Sequence, residues 1–222
     1  MEAKINEIFS SIQGEGPVVG YKQLFIRFCG CNLSCAYCDT EFNNGKTYTP
    51  QELYEEITNN YDLNNIHSIS LTGGEPLLHT DFLKEFLPLI KNKTKIYLET
   101  NATLCENFLQ IKKYADIISA DIKLKSSTGN DTFDLHERFL EETEGIYTFA
   151  KIVFDENITQ YEIEKSAQIA KKFDIEITLQ PKMTDNKMSV SSDFCNKILD
   201  KYLSIYKKVR LIPQVHKFIN VR

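Results

Sequence analysis

The chain has 222 residues, a length that suits one α/β domain. Hydrophobic residues make up 42% and charged residues 26%, so a sizeable core forms without staples. The formal charge is −5 with no long run of one sign, and no stretch reaches the ~20 apolar residues of a membrane helix, which argues against a nucleic-acid grip and a membrane span.

The N-terminus, MEAKINEIFSS, lacks a basic n-region and an apolar h-region, so no signal peptide is expected and the chain is assigned to the cytoplasm. Short runs rich in Ile, Val, Phe and Tyr predict strands at 24–28, 68–73, 95–100, 116–122, 147–154, 175–180 and 209–214. Helical patterns lie between them, at 49–60, 81–92, 105–115, 132–144, 159–173 and 193–208. The first opens with Thr49 as N-cap, Pro50 at the first helical position and Glu52 three residues on, a capping box. In the second, Pro88 predicts a kink. Strands alternating with helices imply βαβ units and a mostly parallel sheet, either an incomplete (βα)6 TIM-like barrel or an open doubly wound sheet. Several strands read as nearly all apolar, as if buried on both faces. The expected division is a single domain, with 1–23 an N-terminal segment, 24–182 the partial barrel and 183–222 a closing helix and strand.

Ligands gather at the carboxyl ends of such strands. Those ends carry Arg27, Thr72 to Glu75, Glu99 to Asn101, Asp121, Lys123, Asp155, Gln180, Gln214 and His216. His67, His79 and His136 read as surface or helix-terminal histidines.

Between the first two strands stands CNLSCAYCD, which holds Cys31, Cys35 and Cys38 in a C-x3-C-x2-C spacing, with Cys29 just upstream. Six cysteines are too sparse for a disulfide scaffold, and a reducing compartment keeps thiols free. Zinc ribbons come as two distant CxxC pairs, and no second pair exists; Cys105 and Cys195 are isolated and read as packing residues. A [4Fe–4S] cluster normally takes four cysteines, so three leave one iron open to a chelating ligand. Cys29 keeps a four-thiolate alternative alive, because alternation along a strand would put it beside Arg27 and Cys31.

CNLSCAYCD resembles the signature of radical S-adenosylmethionine (SAM) enzymes, and LTGGEPLL at 71–78 is similar to their GGE motif. SIQGEGPVVGYKQLFIRFCGCN at 11–32 resembles the N-terminus of the 7-carboxy-7-deazaguanine synthase family, as do CDT at 38–40, ETN at 99–101, LQP at 179–181 and PQVHK at 213–217. The resemblance implies that Cys31, Cys35 and Cys38 hold a [4Fe–4S] cluster whose open iron chelates SAM, the source of a 5′-deoxyadenosyl radical. It implies SAM contacts for Gly73, Gly74, Glu75, Glu99, Asn101, Ser119, Asp121, Lys123 and Gln180. DIKLKSSTGN departs from the family around 121–128. The implied substrate is 6-carboxy-5,6,7,8-tetrahydropterin. Arg27 would take its carboxylate through a bidentate fork, and Ile12, Gln13, Gly14, Glu15, Thr72, Gln214 and His216 would form the rest of its pocket. Mg²⁺ bound through Thr40, a flavodoxin- or ferredoxin-type reductant and a homodimer are further implications. The alternatives are another small radical SAM enzyme, such as a glycyl-radical activase, and a non-catalytic zinc-binding module.

Overall fold

The computed structural model describes residues 1–36, 38, 45–184 and 186–222. One nine-stranded sheet dominates it, in the order β11 (Val209–Leu211), β8 (Glu176–Pro181), β7 (Tyr147–Phe154), β6 (Ile117–Asp121), β5 (Lys95–Thr100), β4 (Ser68–Gly73), β2 (Lys22–Phe28), β1 (Ala3–Ile12), β3 (Lys46–Tyr48), and a small separate ribbon pairs β9 (Met183–Thr184) with β10 (Lys187–Met188). Six parallel strands form the barrel core: β2 (Lys22–Phe28), β4 (Ser68–Gly73), β5 (Lys95–Thr100), β6 (Ile117–Asp121), β7 (Tyr147–Phe154) and β8 (Glu176–Pro181). A short seventh, β11 (Val209–Leu211), extends the parallel side. The sheet curls without closing, with β11 at one edge and β3 (Lys46–Tyr48) at the other, so the expected incomplete (βα)6 barrel is the architecture found. Helices α1 (Pro50–Asn60), α2 (Thr80–Ile90), α3 (Cys105–Ile111), α4 (Lys125–Thr128), α5 (Phe133–Glu141), α6 (Gln160–Lys172) and α7 (Ser192–Ile205) cover the outside. The last, α8, is a single turn at Val215–Phe218. No helix among the described residues is long and apolar enough to cross a membrane.

Sequence pattern decides the local structure. Thr49 and Glu52 form the expected capping box on α1, and Thr159 and Glu162 form a second on α6. Pro88 stands inside α2, where it can offer no donor to the carbonyl of Lys84, and the helix nonetheless runs on to Ile90.

The strands alternate more strictly than their composition suggests. In the barrel strands one set of residues, Leu24, Ile26 and Phe28 with Ile69, Leu71, Ile96, Leu98, Ile118, Ala120, Ala150, Ile152, Ile177 and Leu179, joins the large apolar core under the helices. The alternate set points the other way: Gln23 and Arg27, Ser70 and Thr72, Glu99, Ser119 and Asp121, Lys151, Thr178 and Gln180. Period 2 thus delivers a polar interior at the carboxyl ends and an apolar exterior. A small apolar plug of Val18, Tyr97, Ile117 and Phe149 fills the interior.

Ala3–Ile12 forms β1, paired antiparallel to both β2 and β3. A bulge in β1 puts Ile5 opposite Phe28 but Glu7 opposite Arg27, which broke the alternation that would have marked the strand.

Candidate active site

A cleft with about 1110 Å³ of atom-free space, counting its open mouth, lies at the carboxyl ends of the barrel strands. A smaller hollow beside it shares Glu15, Arg27, Thr72, Glu99 and Gln214 with the cleft wall.

Cys31, Cys35 and Cys38 all border the cleft. Cys29 does not; its thiol is buried beside Gly45, whose added Cβ would stand 2.6 Å from the sulfur. Burial pushes the Cys31 and Cys35 thiols up in pKa. Among the described residues no three His, Cys, Asp or Glu side chains are close enough together to hold a metal ion, so the fit of the triad rests on the shared wall and on thiol chemistry. Thr40, expected as the Mg²⁺ ligand, lies outside the described residues. Two brackets support the cysteine loop. Ala36 N donates to Ser127 O at 2.9 Å, and Ser126 N in turn donates to the buried Glu162 at 2.7 Å. On the other side Asn101 Nδ2 donates to Asn32 Oδ1 at 2.8 Å and reaches Cys31 Sγ at 3.9 Å.

Of the nine residues expected to contact SAM, eight line the cleft: Gly73, Gly74, Glu99, Asn101, Ser119, Asp121, Lys123 and Gln180. Glu75 is the exception. Its carboxylate is fully buried and accepts from Leu77 N, Thr100 Oγ1 and Asn101 N at 2.7–3.0 Å, tying the GGE turn to the end of β5. Burial pushes it up to about 7 against those three donors. Gly73 also answers to protein: at φ +116° a Cβ would meet Phe28 O at 2.3 Å, so strand packing by itself requires a glycine here. Asp121 Oδ1 and Gln180 Oε1 are buried acceptors without a partner on the cleft wall. Such orphans fit a ligand rich in hydroxyl and N–H donors, as SAM is.

All eight residues expected at the substrate line the smaller hollow: Ile12, Gln13, Gly14, Glu15, Arg27, Thr72, Gln214 and His216. Their roles differ from the expectation in one respect. Gln13 is an organiser, since its Nε2 donates to Gln23 Oε1 and Glu99 Oε1, both at 3.0 Å, and its Oε1 accepts from Glu15 N at 2.9 Å. Glu99 accepts from Gln13, Ser70 and Thr72, which puts it on the seam between the two hollows. Arg27 donates through Nε to Glu7 at 2.7 Å, so its terminal nitrogens remain for a second carboxylate. Gly14 receives α8: Val215 N donates to Gly14 O at 2.9 Å, and His216 packs where a Cβ would stand.

Sequence reasoning missed the centre of the electrostatics. Lys151 on β7 places Nζ 2.6 Å from Glu15 Oε2 and 3.3 Å from Asp121 Oδ2. Lys123 Nζ lies 2.7 Å from the same Asp121 oxygen, and Gln214 Nε2 donates to Glu15 Oε1 at 2.6 Å. Burial alone would raise the Glu15 carboxyl, yet Lys151 and Gln214 hold it down at about 2. Asp121 is likewise held low by Lys123 and Lys151, and the Lys151 ammonium is held well above its usual range by its carboxylates despite burial. The missed signal was a lone lysine in the apolar run YTFAKIVF. His136 also departs from the expectation: it is fully buried, with Nδ1 3.2 Å from Ala102 O and Nε2 accepting from Lys123 N at 3.1 Å.

A family model described as the radical SAM superfamily matches residues 25–188. A 7-carboxy-7-deazaguanine synthase of Geobacter sulfurreducens is 35% identical over 98% of this chain and 97% of its own length. One of Archaeoglobus fulgidus is 32% identical over the full length of both. The crystal structure of QueE from Escherichia coli shares the fold at a TM-score of 0.68 and 21% identity, over 97% of this chain and 95% of that one.

Proposed function

The chain belongs to the radical SAM superfamily and, within it, to the 7-carboxy-7-deazaguanine synthase family, and on that premise we propose that it converts 6-carboxy-5,6,7,8-tetrahydropterin to 7-carboxy-7-deazaguanine with loss of ammonia. The observation that carries this reading is the division of one cleft into two joined hollows. The cysteine triad and the orphaned acceptors Asp121 and Gln180 border only the larger, Gln13, Gly14 and His216 border only the smaller, and Arg27 and Glu15 line both.

Cys31, Cys35 and Cys38 would hold a [4Fe–4S] cluster, and the walls around Gly74, Ser119, Asp121 and Gln180 would hold SAM. When bound, the two supply a radical able to take hydrogen from an unactivated carbon. The chain's own residues supply position. The Arg27 fork takes the substrate carboxylate. Glu15 stays ionised throughout the working pH range and accepts from the N–H edge of the pterin ring. Thr72 and Glu99 stand at the seam, where the two ligands meet. Gln214 and His216 close the pocket from the C-terminal side and keep water from the reacting ring.

Mg²⁺ bound through Thr40, a flavodoxin- or ferredoxin-type electron donor, a homodimeric assembly and a cytoplasmic site of action complete the reading. Anaerobically reconstituted protein given SAM, a reductant, Mg²⁺ and the pterin tests it. Formation of 5′-deoxyadenosine and 7-carboxy-7-deazaguanine is expected; absence of the nucleoside rejects the reaction class. Omitting Mg²⁺ tests the ion separately.

A further inference from the structure

Every residue of β7 from Thr148 to Phe154 is buried, and all but Lys151 and Thr148 are apolar. A lysine there pays heavily in lost hydration, so its partners must account for it. Register explains how it meets them. Lys151 pairs with Asp121 on β6 and with Thr178 on β8, and neighbours in parallel register share a face. Asp121 therefore stands beside the ammonium within the sheet, while Glu15 reaches it from the loop after β1. One cation is thus held between Asp121, which lines the larger cleft alone, and Glu15, which lines both hollows. Each carboxylate also has a second partner that the other lacks: Gln214 on Glu15 and Lys123 on Asp121.

We propose that Lys151 is a positioning residue shared by both ligand subsites: its single ammonium, clamped between Glu15 and Asp121, fixes the acceptor that faces the pterin and the acceptor that faces SAM at a set separation. Radical transfer between two bound molecules requires the reacting atoms to approach within about 3–3.5 Å, so a shared anchor at the seam controls more than affinity. Without Lys151, two buried carboxylates would converge on the cleft with no cation between them, Lys123 offsetting Asp121 alone and Gln214 and His216 offsetting Glu15 alone, and their separation would no longer be fixed. This inference rests on the functional reading above, which assigns Glu15 to the pterin and Asp121 to SAM.

The test measures binding by the oxidised, cluster-loaded enzyme, which does not turn over. Dissociation constants for SAM alone and for the pterin alone are compared in wild type, K151M, K151R, Gln214→Ala and Lys123→Met. K151M is expected to weaken both ligands, each on the order of tenfold. Gln214→Ala should weaken only the pterin and Lys123→Met only SAM. K151R, which keeps the charge, should lose less than K151M for both ligands. If K151M does not fold, K151R decides the matter, because it must shift both constants together. A change confined to one ligand overturns the proposal.

A pH profile separates positioning from mere structural support. Besides Lys151, the charged or titratable groups on the walls around Glu15 are His216 and Lys217 on α8, Arg27 on β2, Asp121 and Lys123 at the end of β6, Glu99 and Tyr97 on β5, and Lys182 after β8. Of these, histidine is the type that ordinarily changes charge between pH 5 and 8. In a His216→Gln background the pterin constant should therefore be flat over that range, and adding K151M should make binding weaken as pH falls and Glu15 takes up a proton. Flat profiles in both proteins would overturn the proposal. A wild-type holoenzyme that binds SAM but never the pterin would defeat the functional reading itself, whereas normal binding of both with only one constant moved by K151M or K151R defeats this inference alone.

Discussion

The amide nitrogen of Asn101 lies 3.9 Å from Cys31 Sγ and 2.8 Å from Asn32 Oδ1, so the end of β5 holds the first cysteine of the cluster loop in place. Asn101 Oδ1 in turn accepts from both Thr103 N and Thr103 Oγ1, which fixes the direction of the amide. A donor aimed at a ligating sulfur favours the more negative, reduced state of a cluster. Asn101→Ala should therefore make the reduction potential more negative, on the order of 40 mV, the equivalent of about 1 kcal/mol for a one-electron couple. Potentiometric titration followed by electron paramagnetic resonance checks this. An unchanged potential would leave Asn101 with a purely structural task.

The two sets of cysteines should separate cleanly on substitution. Cys31→Ala, Cys35→Ala and Cys38→Ala each remove a thiol from the cleft wall and should abolish cluster assembly. Cys29→Ala should retain it, because that thiol is buried away from the cleft against Gly45. The cost of the small cavity should be about 1 kcal/mol. Iron and sulfide content of the four purified variants decides the point. Loss of iron in Cys29→Ala would restore the four-thiolate alternative, and one zinc without sulfide in wild type would favour a zinc module.

Much of this site could be read along the chain because strand ends are where a parallel barrel collects its ligands. Arg27, Thr72, Glu99, Asp121 and Gln180 are all visible as polar residues closing apolar runs. Three kinds of feature could not be read. The strand at Ala3–Ile12 was masked by the bulge that brings Glu7 to Arg27. Lys151 sits inside an apolar run, and its reason for being there comes from Glu15, 136 positions away. The roles of Glu75 and Gln13 depend on which neighbours claim their polar atoms, and residues such as Thr100 and Gln23 become neighbours only in the folded chain. Position along a strand predicts which face a side chain takes, not what it bonds.

His136 gives stability a pH dependence. Its two ring nitrogens join Ala102 O to Lys123 N, and burial depresses its pKa from 6.5 to about 4. The unfolded chain then binds a proton that the folded chain refuses between these values, so stability is full above pH 6.5 and falls as pH drops toward 4. The loss from this residue alone should be about 3 kcal/mol across that window. Urea unfolding of the cluster-free chain at several pH values, with His136→Gln as comparison, measures it. The glutamine can still bridge the two backbone groups but does not titrate, so its profile should be flatter by that amount. Equal slopes would show that the histidine is not the group responsible.

Gly14 offers a test of the closing segment that leaves the cluster side untouched. A Cβ at this position would stand 2.2 Å from His216 Nδ1 and 2.6 Å from His216 Cβ, so Gly14→Ala must push α8 away. The backbone bond from Val215 N to Gly14 O would loosen with it, and Gln214 would lose its hold on Glu15. Of the segment it moves, Gln214 and Lys217 also line the larger cleft, but the cysteine triad, Asp121 and Gln180 lie on other elements, so SAM should bind nearly as before. The expected outcome is a KM for the pterin raised about tenfold, the equivalent of one lost hydrogen bond to a charged group, with reductive SAM cleavage in the absence of pterin unchanged. Steady-state kinetics with varied pterin, alongside quantification of 5′-deoxyadenosine without it, tests both halves. An unaltered KM would mean that α8 does not cover the substrate, whereas impaired SAM cleavage would mean that the two hollows are not separable through this glycine.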